Sequence, residues 1–169
     1  AQMASGQGPT PDPADVEAGR LFQAELSARL AQSPKKHVFV YVHGFNNTVG
    51  NAVLTTAELW HFRGREGVPV GYTWPAGVGV LRAYEYTVAS TEFTISHLKR
   101  MLRMIAANPD VERIHILAHS RGTAVLTDTI RELHIELRST TDSQQALKLG
   151  TVILAAADID LDVAISRNA

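Results

Sequence analysis

The group in this sequence best placed to act as a nucleophile is Ser120, held between small residues in Ala118-His119-Ser120-Arg121-Gly122. It follows an apolar, β-type run at 114–118 and precedes a helical stripe. At so sharp a strand-to-helix turn a serine must adopt a strained backbone, which lifts its hydroxyl clear of the sheet. The residues two before and two after it are then pressed together, so only small side chains fit, and Ala118 and Gly122 qualify. The helix that follows aims its first amides, beginning with Arg121, at the serine, where they favour negative charge on a reacting oxygen. The chemistry this would serve is attack on an acyl carbonyl. The competing reading is that Ser120 only caps the helix beginning near Arg121.

A second element lies one βαβαβ unit earlier, in Val42-His43-Gly44-Phe45-Asn46-Asn47. Gly44 permits close backbone approach or positive φ. The Phe45 amide could then face the serine and, with the Arg121 amide, make a two-donor oxyanion hole. One such donor is typically worth about 3 to 4 kcal/mol of transition-state stabilisation. The simpler reading is a glycine turn with Asn46 and Asn47 as turn residues.

The elements that must position these groups are legible as alternating patterns. Residues 37–42, 68–74, 114–118 and 151–157 are apolar runs suited to strands covered on both faces, as in a parallel sheet. Between them lie helical stripes: Val53, Ala57 and Trp60; Ile95, Leu98, Leu102 and Ile105; Leu126, Ile130, Leu133 and Leu137. An earlier helix starts with Asp12 as cap and Pro13 in its first turn, buries Phe22, Leu26 and Leu30, and ends at Ser33-Pro34. Residues 1–13 are rich in Gly, Pro and Ser and read as a mobile head, so the folded unit is 14–169. Residues 139–148 read as a polar connection. Strand–helix alternation at spacings of about 30 to 45 residues predicts an α/β fold with right-handed βαβ units. An open parallel sheet puts its ligand site at the carboxyl ends of its strands. That points to residues 43–48, 75–80, 119–123 and 158–162.

Composition excludes several other classes. The 169 residues are enough for one domain with a sizeable core, and 45% apolar with 20% charged is ordinary for a soluble globular protein. A net charge of −1 predicts no general attraction to nucleic acid or anionic membrane. With no cysteine there is no disulfide, thiolate metal site or Cys nucleophile. No apolar run approaches the roughly 20 residues that span a bilayer. No spaced His or carboxylate set suggests a metal site, and no phosphate loop or dinucleotide fingerprint follows any strand, so no cofactor is expected.

His43-Gly44 after one strand, Trp74-Pro75 after the next, the Ser120 turn after the third and Ala155-Ala156-Ala157-Asp158-Ile159-Asp160 after the fourth resemble the α/β-hydrolase superfamily. The similarity is greatest to a bacterial branch of unknown function, and it covers roughly residues 37–162. Ala118 stands where Gly is usual, and Ala157 where the branch often has Pro. The resemblance implies a mostly parallel sheet with helices on both faces and esterase- or lipase-like chemistry on a small-molecule acyl substrate. It implies a Ser–acid–His triad in that chain order, with Ser120 as nucleophile and Asp158 as the acid, Asp160 being the alternative. Asp158 read alone could instead cap a turn. His43, Gly44, His119 and Gly122 would be supporting residues.

The general base is not expected within this sequence. In the family it follows the last strand, yet this sequence has no histidine after His134. His119 adjoins the nucleophile but should point elsewhere, and His43 should support the oxyanion loop. His115 lies in a strand, His37 begins one, and His61, His97 and His134 fall on helices. The family domain is also longer. The sheet is therefore expected to be incomplete at its C-terminal end, with the histidine and the rest of the fold supplied by a second polypeptide from a cleaved precursor, by a partner chain, or by further sequence. The alternative in a different functional class is an inactive hydrolase-like module for binding or assembly. The loop after Trp74-Pro75-Ala76-Gly77 would border the pocket or cover the core, and Tyr84, Glu85 and Tyr86 face the site or solvent.

Overall fold

The computed structural model describes residues 12–76, 83–137 and 146–158. Its elements alternate in the order α1 (Pro13–Gln32), β1 (His37–Val42), α2 (Val49–Phe62), β2 (Val68–Tyr72), α3 (Ala83–Ala107), β3 (Arg113–His119), α4 (Arg121–Leu137) and β4 (Leu149–Ala155). The strands form one four-stranded sheet in the order β2-β1-β3-β4, and every pairing is parallel. Of the head assigned to 1–13, residues 1–11 lie outside the described residues, as do most of the 139–148 connection and Asp160.

Alternation along the strands divides the side chains between two layers. Val38, Val40 and Val42 of β1 and Ile114, Ile116 and Ala118 of β3 share one face and are fully buried. That face packs on α1, α3 and α4 through Leu26, Leu30, Leu98, Leu102, Ile105, Leu126 and Leu133. The expected stripes of these three helices are the ones that reach the core, with Phe22, Ile130 and Leu137 packed at its margin. Asp12 caps α1 through a 2.9 Å bond from the Ala14 amide, and Pro13 occupies the first turn.

The opposite face carries α2, and of the expected stripe only Trp60 is partly buried, while Val53 and Ala57 are exposed. Val53 is 57% exposed, while Ala52 and Thr56 face the sheet. The close approach to the sheet explains the choice. A Cβ on Gly71 of β2 would stand 2.8 Å from Thr56 Oγ1, so this contact needs small residues on both sides. Arg63, at the end of α2, lies 4.7 Å from the centre of the Phe39 ring.

Among the described residues β4 is the outer strand beside β3, and its apolar residues are partly exposed. Val152, Ile153 and Leu154 are 38%, 46% and 37% exposed, although they alternate between the two faces. An apolar outer strand of this kind is a surface for pairing with further chain.

Candidate active site

Ser120 sits where β3 turns into α4, at φ 50. A residue with a Cβ held in that left-handed region costs roughly 1–2 kcal/mol. The neighbours over-determine it. The Ser120 amide donates to Ala155 O of β4 at 2.9 Å, and the Ser120 carbonyl accepts from Thr123 N at 2.9 Å and Thr123 Oγ1 at 2.7 Å. A Cβ on Gly122 would fall 2.5 Å from His43 O and 2.8 Å from Val42 O, so α4 starts directly against the end of β1. Ala118 is fully buried on the other side of the corner.

Gly44 brings the β1 loop against the serine. A Cβ there would lie 2.9 Å from Ser120 Cβ, 3.0 Å from His119 O and 3.3 Å from His119 Nδ1. Beyond it, Phe45 is 43% exposed and Asn46 takes a left-handed φ of 52, the turn role expected of an Asn. Asn46 N donates to Ala76 O at 3.5 Å. Among the described residues no hydrogen bond engages the Phe45 or Arg121 amide or the Ser120 hydroxyl. Asn47 Oδ1 is a buried acceptor without a donor among the described residues.

The hydrogen bonds of His43 leave neither ring nitrogen available to act as a base. The residue is 1% exposed, and both ring nitrogens are used. Trp74 N donates to Nε2 at 3.1 Å, so the neutral ring carries its proton on Nδ1 and donates it to Gly44 O at 2.8 Å. Trp74 Nε1 returns a 2.9 Å bond to His43 O, and the two rings stack 5.7 Å apart. Trp74 and Ala76 thereby belong to the core, while Gly77 and the loop after it lie outside the described residues, as do the side chains of Tyr84, Glu85 and Tyr86. Burial pushes the His43 pKa down, against a smaller upward pull from the Gly44 carbonyl. The unfolded chain therefore binds a proton at a pH where the folded chain does not. His43 contributes its full stability above the ordinary histidine value of about 6.5 and loses it as pH falls below. Urea midpoints measured from pH 8 to 5 should fall on the acid side, and a flat profile would contradict this.

Asp158 follows β4, past Ala156, which takes a left-handed φ of 46. Its side chain is 61% exposed, and its Oδ2 lies 3.7 Å from Arg121 Nη1. This ion pair has no signal in the sequence. The sequence marks Arg121 only through its amide, and nothing local says which cation the end of β4 will meet. The fold thus brings Gly44, Phe45, His119, Ser120, Arg121, Gly122 and Asp158 to the carboxyl ends of β1, β3 and β4. His115 and His37 lie elsewhere on the sheet, and His61, His97 and His134 lie on α2, α3 and α4. Among the described residues no group of three or more His, Cys, Asp or Glu could hold a metal ion. Nor is any described helix long and apolar enough to cross a membrane.

A family model for an alpha/beta hydrolase of unknown function matches residues 19–168. The chain belongs to that family. No curated protein and no solved structure matches it. Membership accords with the all-parallel sheet and supports hydrolase chemistry in general. The serine corner, the Gly44 loop and the end of β4 are where this hydrolase has its converging polar groups.

Proposed function

We propose that this hydrolase is an esterase-like serine enzyme. Ser120 Oγ attacks an acyl carbonyl, and its proton passes through a histidine to the departing alcohol or amine. The amides of Phe45 and Arg121 hold the oxyanion, and Asp158 orients the histidine. Water then attacks the acyl-enzyme, releases the acid and restores the serine. The observation that carries this reading is the φ of 50 at Ser120, a strained corner with unengaged amides on either side. Such strain is expected at a reacting centre and is not needed for capping a helix.

In this reading the histidine comes from outside this chain, on a segment that pairs with β4, the outer strand among the described residues. The exposed apolar residues of β4 support that placement. A fluorophosphonate probe tests the reading on the assembled protein. An adduct on Ser120, located by peptide mass, is the expected result, and an unlabelled Ser120 in a complete assembly would overturn it.

Gly44→Ala gives a graded test of the oxyanion loop. The new Cβ, 2.9 Å from Ser120 Cβ, drives the loop and its Phe45 amide away from the serine. Ester turnover should drop about 10²- to 10³-fold, the usual effect of losing one oxyanion donor. Unchanged turnover would remove Phe45 from the oxyanion site.

The second reading is an inactive module that keeps the scaffold for binding or assembly. What favours it is that no histidine reaches the Ser120 hydroxyl among the described residues. Ester turnover that disappears in Ser120→Ala would end it.

A further inference from the structure

At the opposite end of the sheet from Ser120, two histidines and a main-chain amide form a chain of hydrogen bonds that the proposed chemistry does not use. Thr151 N donates to His115 Nδ1 at 3.1 Å, and His115 Nε2 lies 3.2 Å from His37 Nδ1. The amide can only donate, so His115 Nδ1 is bare and the proton of the neutral ring is on Nε2, where it donates to His37. The His37 proton is then on its Nε2, which faces Glu112 Oε2 at 4.0 Å.

The imidazole meets β4 where its pairing with β3 is irregular. The β3–β4 register slips between Ile114, which pairs with Leu149, and Ile116, which pairs with Val152, so that Gly150 and Thr151 both stand opposite His115. This is a β-bulge, which leaves the amide of its extra residue without a ladder partner, and the His115 side chain accepts it. Gly150 makes room for the ring, because a Cβ there would be 2.7 Å from His115 Cε1. A divalent cation between the rings would require both His115 nitrogens to be bare, an imidazolate, so the geometry suits a proton and not a metal.

The groups facing His115 come from every element around it. β1 brings His37, the end of α2 brings Arg63, and β3 brings Arg113, while Glu112 just before β3 faces His37. β4 brings main chain, through Gly150 and Thr151. Burial lowers the His115 pKa first, and repulsion by His37, Arg63 and Arg113 lowers it further.

We propose that His115 fastens β4 to the sheet only while its ring is neutral, so that mild acid loosens the strand whose far end holds Ser120 and carries Asp158. Once protonated, Nδ1 bears a hydrogen that points at the Thr151 N–H and cannot accept it. The ring also becomes a third cation beside Arg63 and Arg113. β1–β3 pairing does not depend on this bond and persists. The device acts on the end of β4 whether or not Ser120 is a nucleophile.

Amide exchange and NMR titration of the full chain from pH 8 to 5 test this. The His115 ring signals and the Thr151 amide should titrate with one midpoint. Thr151 protection, corrected for the intrinsic exchange rate, should drop about tenfold while β1 amides keep theirs. His115→Gln retains a carbonyl acceptor that does not titrate, and should flatten the pH dependence. Thr151 protection that stays constant while His115 titrates would overturn the proposal. So would His115→Gln with the wild-type pH response. Should that variant not fold, the wild-type titration decides alone.

Discussion

Ser120→Ala should reduce ester turnover in the assembled enzyme by about 10⁴-fold or more, leaving only the residue due to binding and the oxyanion donors. The substitution removes Oγ alone. The corner is held by bonds that do not use Oγ, from Ser120 N to Ala155 O and from Thr123 N and Thr123 Oγ1 to Ser120 O, and these survive. The variant should therefore stay folded, and the loss should appear in kcat. Ser120→Gly makes the strain visible. It should be equally inactive yet more stable than wild type by roughly 0.5–1 kcal/mol, because glycine takes φ 50 without a Cβ penalty and returns only part of that gain as chain entropy. A stabilised, inactive glycine variant is what a site that stores strain for function predicts. Turnover retained in Ser120→Ala would show that another group is the nucleophile. Stability lost in Ser120→Gly would show that the corner is not strained.

Gly122→Ala should produce the largest loss of stability for the smallest added group. The new methyl meets two carbonyl oxygens, His43 O at 2.5 Å and Val42 O at 2.8 Å. Neither can rotate away. Val42 is in register with Tyr72 on one side and Ala118 on the other, and His43 is clamped by Trp74 and Gly44. The start of α4 must instead lift from β1. Overpacking of this kind costs roughly 3 kcal/mol, and the better helix propensity of alanine recovers about 1, for a net loss of about 2 kcal/mol. In a domain of this size that lowers Tm by roughly 4–8 °C. Gly19→Ala in α1 is the matched control, since nothing lies within 4 Å of its new Cβ. It should stabilise the protein by roughly 1 kcal/mol through helix propensity alone. Equal effects from the two substitutions, read by thermal unfolding, would mean that Gly122 is not the tight contact between α4 and β1.

By itself the sequence determined the alternation of elements, the core stripes of α1, α3 and α4, and the corner at Ser120. These are encoded over short separations: a period of about 3.6 or 2 residues, a cap, a small residue two positions from a serine. Tertiary structure alone decided the rest. α2 is apolar on more than one flank, with Val49, Val53, Leu54 and Ala57 spread around it, so its own pattern does not choose a buried side. The approach of Thr56 to Gly71 chooses it, and leaves Val53 outside. Seven histidines read alike in sequence, yet long-range register makes His43 a buried clamp on Trp74 and sets His115 against the Thr151 amide. The Arg121–Asp158 pair likewise joins the ends of two neighbouring elements, α4 and β4. Hydrogen-bond partners depend on which strands lie side by side and in what register, and residue spacing carries that information only within a single element.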